Sequence, residues 1–192
     1  MVPSKKKKIL AVSGSTRKAS SNHSLIMAIA GLATEIFDVT LYEGIADLPH
    51  FNPDALDDAG PKVANFKKLL KESDGVLICT PEYAHGVPGS LKNAIDWTVG
   101  TSDFFHKPTA LITASSDGRY GHKALLEILR VIEAGCVDRL QLLVPFIKTK
   151  IGKGDVIIHE DTLLAVRRLI GDLDAAIGDP GVVIGKLRRG DR

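Results

Sequence analysis

Two short stretches of this 192-residue chain set hydroxyls, glycines and a fixed positive charge at the ends of apolar runs. The first passes from Ser13 through Gly14, Ser15, Thr16 and Arg17 to Ser20, Ser21 and Asn22. The second is Pro81-Glu82-Tyr83-Ala84-His85-Gly86, followed by Pro88 and Gly89. A strand that runs into such a loop at a helix N-terminus makes a phosphate cradle, because unpaired backbone N–H groups and the helix dipole both face the anion. Ser13, Ser15, Thr16, Ser20, Ser21 and Asn22 add side-chain donors, and Arg17 adds a charge. Charge-assisted bonds of this kind are worth about 1.5–3 kcal/mol each. A turn that only capped a helix would need fewer donors. Two such loops at neighbouring strand ends hold a nucleotide-like ligand across the crevice of an open sheet.

Other chemistries lack their residues. No G-x-x-x-x-G-K-[ST] is present to hydrolyse a nucleoside triphosphate, and no G-x-G-x-x-G follows the first strand, so a mononucleotide fits better than a dinucleotide. No G-x-S-x-G elbow supports a hydrolase. The histidines at 23, 50, 85, 106, 122 and 159 have no metal-ligand spacing, so no metal is expected.

The elements that must position these loops follow from periodicity. Short apolar runs at Lys8–Val12, Gly75–Thr80 and Thr109–Ala114 predict buried parallel strands, with further strands at Phe37–Tyr42 and Leu140–Pro145. Helices are predicted after each: from Leu25 with Ser21 or Asn22 as N-cap, from Pro61, from Pro88 through Trp97, from about residue 122 to a stop at Gly135, and from about Asp161 to Ile177. Residues 43–60, rich in Asp, Pro and Gly, read as a long loop. A third loop, Ser115-Ser116-Asp117-Gly118 through Gly121, follows the fourth strand. Five strands alternating with helices specify an α/β fold, a doubly wound five-stranded parallel sheet with helices on both faces.

With no repeat and no linker, residues 1–192 are expected to form one domain ending in a basic tail over about 182–192. A 44% apolar and 25% charged composition is that of an ordinary globular chain. The net charge of +2 does not indicate nucleic acid, and Lys5–Lys8 reads as a solvated lead-in. The longest apolar runs fall short of the roughly 18 residues a membrane helix needs, and the run after Lys8 is too short for a secretory signal, so the cytoplasm is the expected compartment. Cys79 and Cys136 are too few for a disulfide framework, and Cys79 reads as a reduced core thiol.

Gly14-Ser15-Thr16-Arg17 through Asn22, together with Pro81-Glu82-Tyr83, Pro88-Gly89 and Leu91-Lys92-Asn93-Ala94-Ile95-Asp96-Trp97, resemble the NADPH-dependent FMN reductase family. That family comprises quinone, chromate and azo-dye reductases on a flavodoxin-like fold. The resemblance implies FMN as cofactor, NADPH or NADH as co-substrate, a small-molecule electron acceptor, and a homodimer or homotetramer. It implies that Ser15, Arg17 and Asn22 hold the FMN 5′-phosphate, with Ser13, Thr16 and Ser21 beside them. It implies a ring wall from Pro81, Glu82, Tyr83, Ala84, His85 and Gly86, and backbone donors toward the flavin's pyrimidine end from Ser115, Ser116, Asp117 and Gly118. An Asn often follows Pro-Glu-Tyr in relatives; Ala84-His85-Gly86 stands here instead. His85 could act as an acid near neutral pH, but a loop histidine facing solvent or a partner subunit is the simpler reading. Hydride transfer needs no side-chain base, so no catalytic residue is assigned. The alternatives are a flavodoxin-type electron carrier, which tends to be acidic and aromatic-flanked, and a flavin-free binding module.

Overall fold

A computed structural model describes residues 5–178; the expected basic tail lies outside the described residues. Strands β1 (Lys7–Ser13), β2 (Phe37–Tyr42), β3 (Gly75–Thr80), β4 (Thr109–Ala114) and β5 (Gln141–Val144) pair in parallel in the order β2-β1-β3-β4-β5. Helices α1 (Ser21–Leu32), α2 (Gly60–Glu72), α3 (Gly89–Val99), α4 (Arg119–Val131) and α5 (Glu160–Gly178) cover the two faces. The period-2 alternation of each strand divides the core. Ile9, Ala11, Leu77, Cys79, Ala110 and Ile112 pack with α1 and α5, while Leu10, Val12, Val76, Ile78 and Leu111 pack with α2, α3 and α4. Strands buried on both faces need continuous apolar runs, and β3 and β4 are buried at every position. β2 alternates because it is an edge strand. The order reverses between β1 and β3, which opens a crevice at their carboxyl ends.

Residues 43–60 are not free loop. They contain short 3₁₀ turns at Gly44–Asp47 and Pro53–Asp58, and α3 pins the stretch between them. Trp97 Nε1 and Asn93 Nδ2 donate to Pro49 O at 2.8 and 2.9 Å, Phe51 N donates to Asn93 Oδ1 at 2.7 Å, and Phe51 meets the Trp97 ring edge-on. Lys7 is no solvated lead-in either: it starts β1 and pairs with Asp174 of α5 at 2.7 Å.

Two further boundaries and one added hairpin differ from expectation. The N-cap of α1 is Ser20, with an extended backbone and an Oγ that accepts the Asn22 N–H, rather than Ser21 or Asn22. Helix α4 ends at Val131, short of Gly135. Its end is a Schellman motif: Ala134 N donates to Leu129 O, Glu133 N donates to Arg130 O, and Glu133 takes the left-handed position at φ 53°. Gly135 serves close approach instead, since a Cβ there would lie 2.5 Å from His106 O. A small hairpin, β6 (Ile151–Gly152) with β7 (Val156–Ile157), packs on α1 where no strand was expected.

A glutamate in a left-handed site costs about 1 kcal/mol that glycine does not. Glu133→Gly is therefore expected to raise the urea midpoint, by about 1 kcal/mol of stability; an unchanged or lower midpoint would contradict the assigned cap.

Candidate active site

The loop from β1 to α1 begins at a close approach to the end of β3. Gly14 N donates to Cys79 O at 2.8 Å, and a Cβ on Gly14 would lie 2.2 Å from Thr80 Oγ1, so only glycine fits. Ser13 Oγ accepts the Ser15 N–H and donates to Ser15 O, both at 3.2 Å, which folds the chain back. Ser15 Oγ then accepts the Arg17 N–H. The N–H groups of Thr16 and of Lys18 through Ser21 meet no acceptor among the described residues, so the loop and the start of α1 present open donors.

Asn22 is 4% exposed and its amide is largely committed inside the protein. Nδ2 donates to Ala114 O at 3.1 Å, and Oδ1 accepts from Cys79 Sγ at 3.2 Å, tying the ends of β3 and β4 to the start of α1. One Nδ2 hydrogen remains for the cleft. Complete burial pushes the Cys79 thiol pKa well up, so the group stays a neutral donor to Asn22.

The second loop closes in a two-residue turn. Tyr83 and Gly86 exchange N–H···O bonds at 3.1 and 2.9 Å, with Ala84 and His85 both left-handed at φ 49° and 57°. Asn or Gly is the usual choice at such positions, so the missing Asn is a turn residue here. The His85 ring stacks on Tyr120 at 4.3 Å between centroids.

Glu82 joins the second loop to the third: its N–H donates to Ser115 Oγ at 3.3 Å, and its Oε2 accepts the Gly121 N–H at 2.6 Å in the first turn of α4. A carboxylate at a helix N-terminus is stabilised by the helix dipole. In the third loop, Ser115 N bonds Val144 O, and Gly118 precedes α4 at φ 92°. Asp117 is paired with Arg119 at 2.8 Å, and hydrogen bonding to that guanidinium holds its carboxyl below the usual range. Behind this loop His122 donates from Nε2 to Gln141 Oε1 at 3.0 Å and accepts the Thr113 hydroxyl on Nδ1 at 2.9 Å.

The three loops converge on one cleft of about 400 Å³, within the size range of small-ligand sites. Of the residues expected from the sequence, Ser15, Arg17, Ser21 and Asn22 line it on one side; Pro81, Glu82, Tyr83, Ser115 and Ser116 line the others. Ser13 and Thr16 instead face a smaller cavity of about 300 Å³ on the β2 side, which Arg17 also borders. Ala84, His85, Gly86, Asp117 and Gly118 lie outside the lining of the cleft. Sequence reasoning missed a fourth wall, Phe146, Ile147, Lys148 and Thr149, on the turn after β5. Its one visible signal was Pro145, which ends a strand and turns the chain. No group of three or more His, Cys, Asp or Glu among the described residues could hold a metal.

A doubly wound sheet with a ligand cleft at its topological switch point defines the flavodoxin-like class of α/β proteins. Comparison with known proteins agrees. Residues 7–149 match the family described as NADPH-dependent FMN reductase, and the chain belongs to that family. The matched segment contains every residue that lines the cleft. A quinone reductase of Pseudomonas putida is 39% identical over 137 residues, covering 68% of this chain and 73% of that protein. A 2-hydroxy-1,4-benzoquinone reductase of Burkholderia is 34% identical over 163 residues, covering 81% and 87%. Among solved structures, the flavoenzyme NAD(P)H:(acceptor) oxidoreductase FerB of Paracoccus denitrificans superposes with a TM-score of 0.73 at 25% identity, over 90% of this chain and 97% of that one.

Gly121, at the contact between loops, and His122, bonded to β4 and β5 behind them, can each be tested by substitution. A Cβ on Gly121 would lie 2.9 Å from Gly86 O and 3.0 Å from the Glu82 side chain, so Gly121→Ala is expected to part the second and third loops. The cleft should then bind flavin at least about tenfold more weakly, as loss of ~1.4 kcal/mol implies; equal affinity by fluorescence titration would refute the lock. Burial lowers the His122 pKa below its ordinary 6.5, opposed by the Gln141 hydrogen bond. The unfolded chain therefore binds the proton more readily, and the native state is stabilised fully above about pH 6.5 and loses that stability as pH falls toward the depressed native value. Urea midpoints measured on both sides of that window should fall with pH in the parent more steeply than in His122→Gln; parallel profiles would contradict it.

Proposed function

We propose that this chain is an FMN-dependent NAD(P)H oxidoreductase that passes two electrons to quinones, free flavins, azo dyes or oxidised metal ions by a ping-pong cycle. One observation carries the reading: the loops after β1, β3 and β4 meet in a single cleft in which Arg17, Ser15, Ser21 and the open N-terminus of α1 face the same space. That donor set fits a phosphate monoester, and the cleft fits a group of mononucleotide size. The relatives named as quinone reductases support quinones as acceptors. Bound there, FMN would supply the capacity to accept hydride from reduced nicotinamide and yield it to an acceptor.

The chain's own share is placement. Arg17 and the free N–H groups before α1 would take the phosphate. The Glu82–Gly121 bond keeps the second and third loops as fixed walls, and the N–H of Ser116, which lines the cleft, would meet negative charge at the ring's polar edge. Holding reacting atoms about 3–3.5 Å apart lowers the barrier without a side-chain base. We assign the enzyme to the cytoplasm, where reduced nicotinamide is available, and to a homodimer or homotetramer. No helix among the described residues is long and apolar enough to cross a membrane. A groove of about 500 Å³ between α3 and α4, flanked by exposed Val99, Phe105 and Val131, is the apolar face such pairing would cover.

Initial rates with NADPH and benzoquinone varied together should give parallel double-reciprocal lines; intersecting lines would contradict the ping-pong cycle. Arg17→Ala should weaken FMN binding about tenfold or more, as expected for one lost charge-assisted bond; unchanged affinity would defeat the phosphate assignment.

A further inference from the structure

We infer that Lys148, on the turn after β5, is a second cation for the ligand's phosphate, acting with Arg17 across the same cleft. The inference rests on the FMN reading above. Both residues line the cavity, and neither forms an ion pair among the described residues. Glu82 is the one carboxylate in the lining among the described residues, and its Oε2 is committed to the Gly121 N–H.

A phosphate monoester carries about −1.5 to −2 charges near pH 7. Arg17 supplies one positive charge and the start of α1 about half of another. Up to about half a charge is left unbalanced when the monoester is fully ionised, and Lys148 is the other cation in the lining.

The turn is built to hold that residue in place. Ile147 is 4% exposed and anchors in the core beside α5, while Phe146 takes φ 54° to reverse the chain. Phe146 N and Ile147 N donate to Ser116 O and Ser115 O at 3.2 and 3.1 Å, which fastens the turn to the third loop. Thr149 N and Oγ1 both donate to Phe146 O, at 3.0 and 2.9 Å. Lys148 thus sits on a backbone secured on both sides, and its long stem lets a point charge reach toward the anion.

The test compares two flavins that differ by the phosphate alone. The apoprotein and its Lys148→Gln and Lys148→Arg variants are titrated with FMN and with riboflavin, following flavin fluorescence at low and high salt. Lys148→Gln should raise the Kd for FMN about 10- to 100-fold and leave that for riboflavin unchanged. Its FMN affinity should also depend less on salt, and Lys148→Arg should bind FMN like the parent. An FMN-to-riboflavin affinity ratio that is the same in parent and Lys148→Gln would overturn the inference while leaving the FMN reading intact. A parent protein that binds neither flavin would overturn both.

Discussion

The site depends on the close parallel pairing of β1 with β3 at the point where strand order reverses. Gly14 donates to Cys79 O and, having no side chain, leaves room for the side chain of Thr80 where the two strand ends meet. The chain then has one direction in which to leave the sheet, into the loop whose N–H groups open toward solvent before α1. A larger residue there would push the first loop off the second and separate it from the remaining walls of the cleft. The apolar runs of β1, β3 and β4 make this pairing stable, because each strand is covered on both faces by helices.

Behind the crevice, buried polar groups do what apolar packing cannot. The Asn22 amide joins the ends of β3 and β4 to α1 through Cys79 and Ala114, and Glu82 joins the second loop to α4. Such bonds are directional and costly to leave unmade in a buried setting. They set the relative heights of three loops beyond what the sheet pairing of β1, β3 and β4 fixes. The left-handed turn at Ala84 and His85 is held from outside by the Tyr120 ring, so its strain is offset by stacking rather than by a turn-type residue.

Much of this was legible in the sequence, and the failures have physical causes. β2, β3 and β4 begin and end at the residues expected, because continuous apolar runs bounded by Gly, Pro or polar loops leave little choice. The Leu91–Trp97 motif was visible but its role was not: Asn93 and Trp97 pin the loop near Pro49 rather than face a ligand. Residue type could not show that the Asn22 amide, besides lining the cleft, ties two strand ends to α1. Glu133 hid a helix cap that glycine would have announced, and the two-residue strands of the 151–157 hairpin are too short to carry a period. The Phe146–Thr149 wall was missed because it holds no glycine-rich or hydroxyl-rich signature; it reaches the cleft through topology, as the turn after the strand next to β4.

The central claim is that the cleft holds a flavin which reduced nicotinamide can reach. The direct measurement is the visible spectrum of purified protein supplied with FMN and desalted, followed by NADPH in the absence of oxygen. The account predicts a flavin spectrum that survives desalting and bleaches rapidly on addition of NADPH or NADH. Loss of flavin on desalting, or bound flavin that both coenzymes leave oxidised, would contradict it.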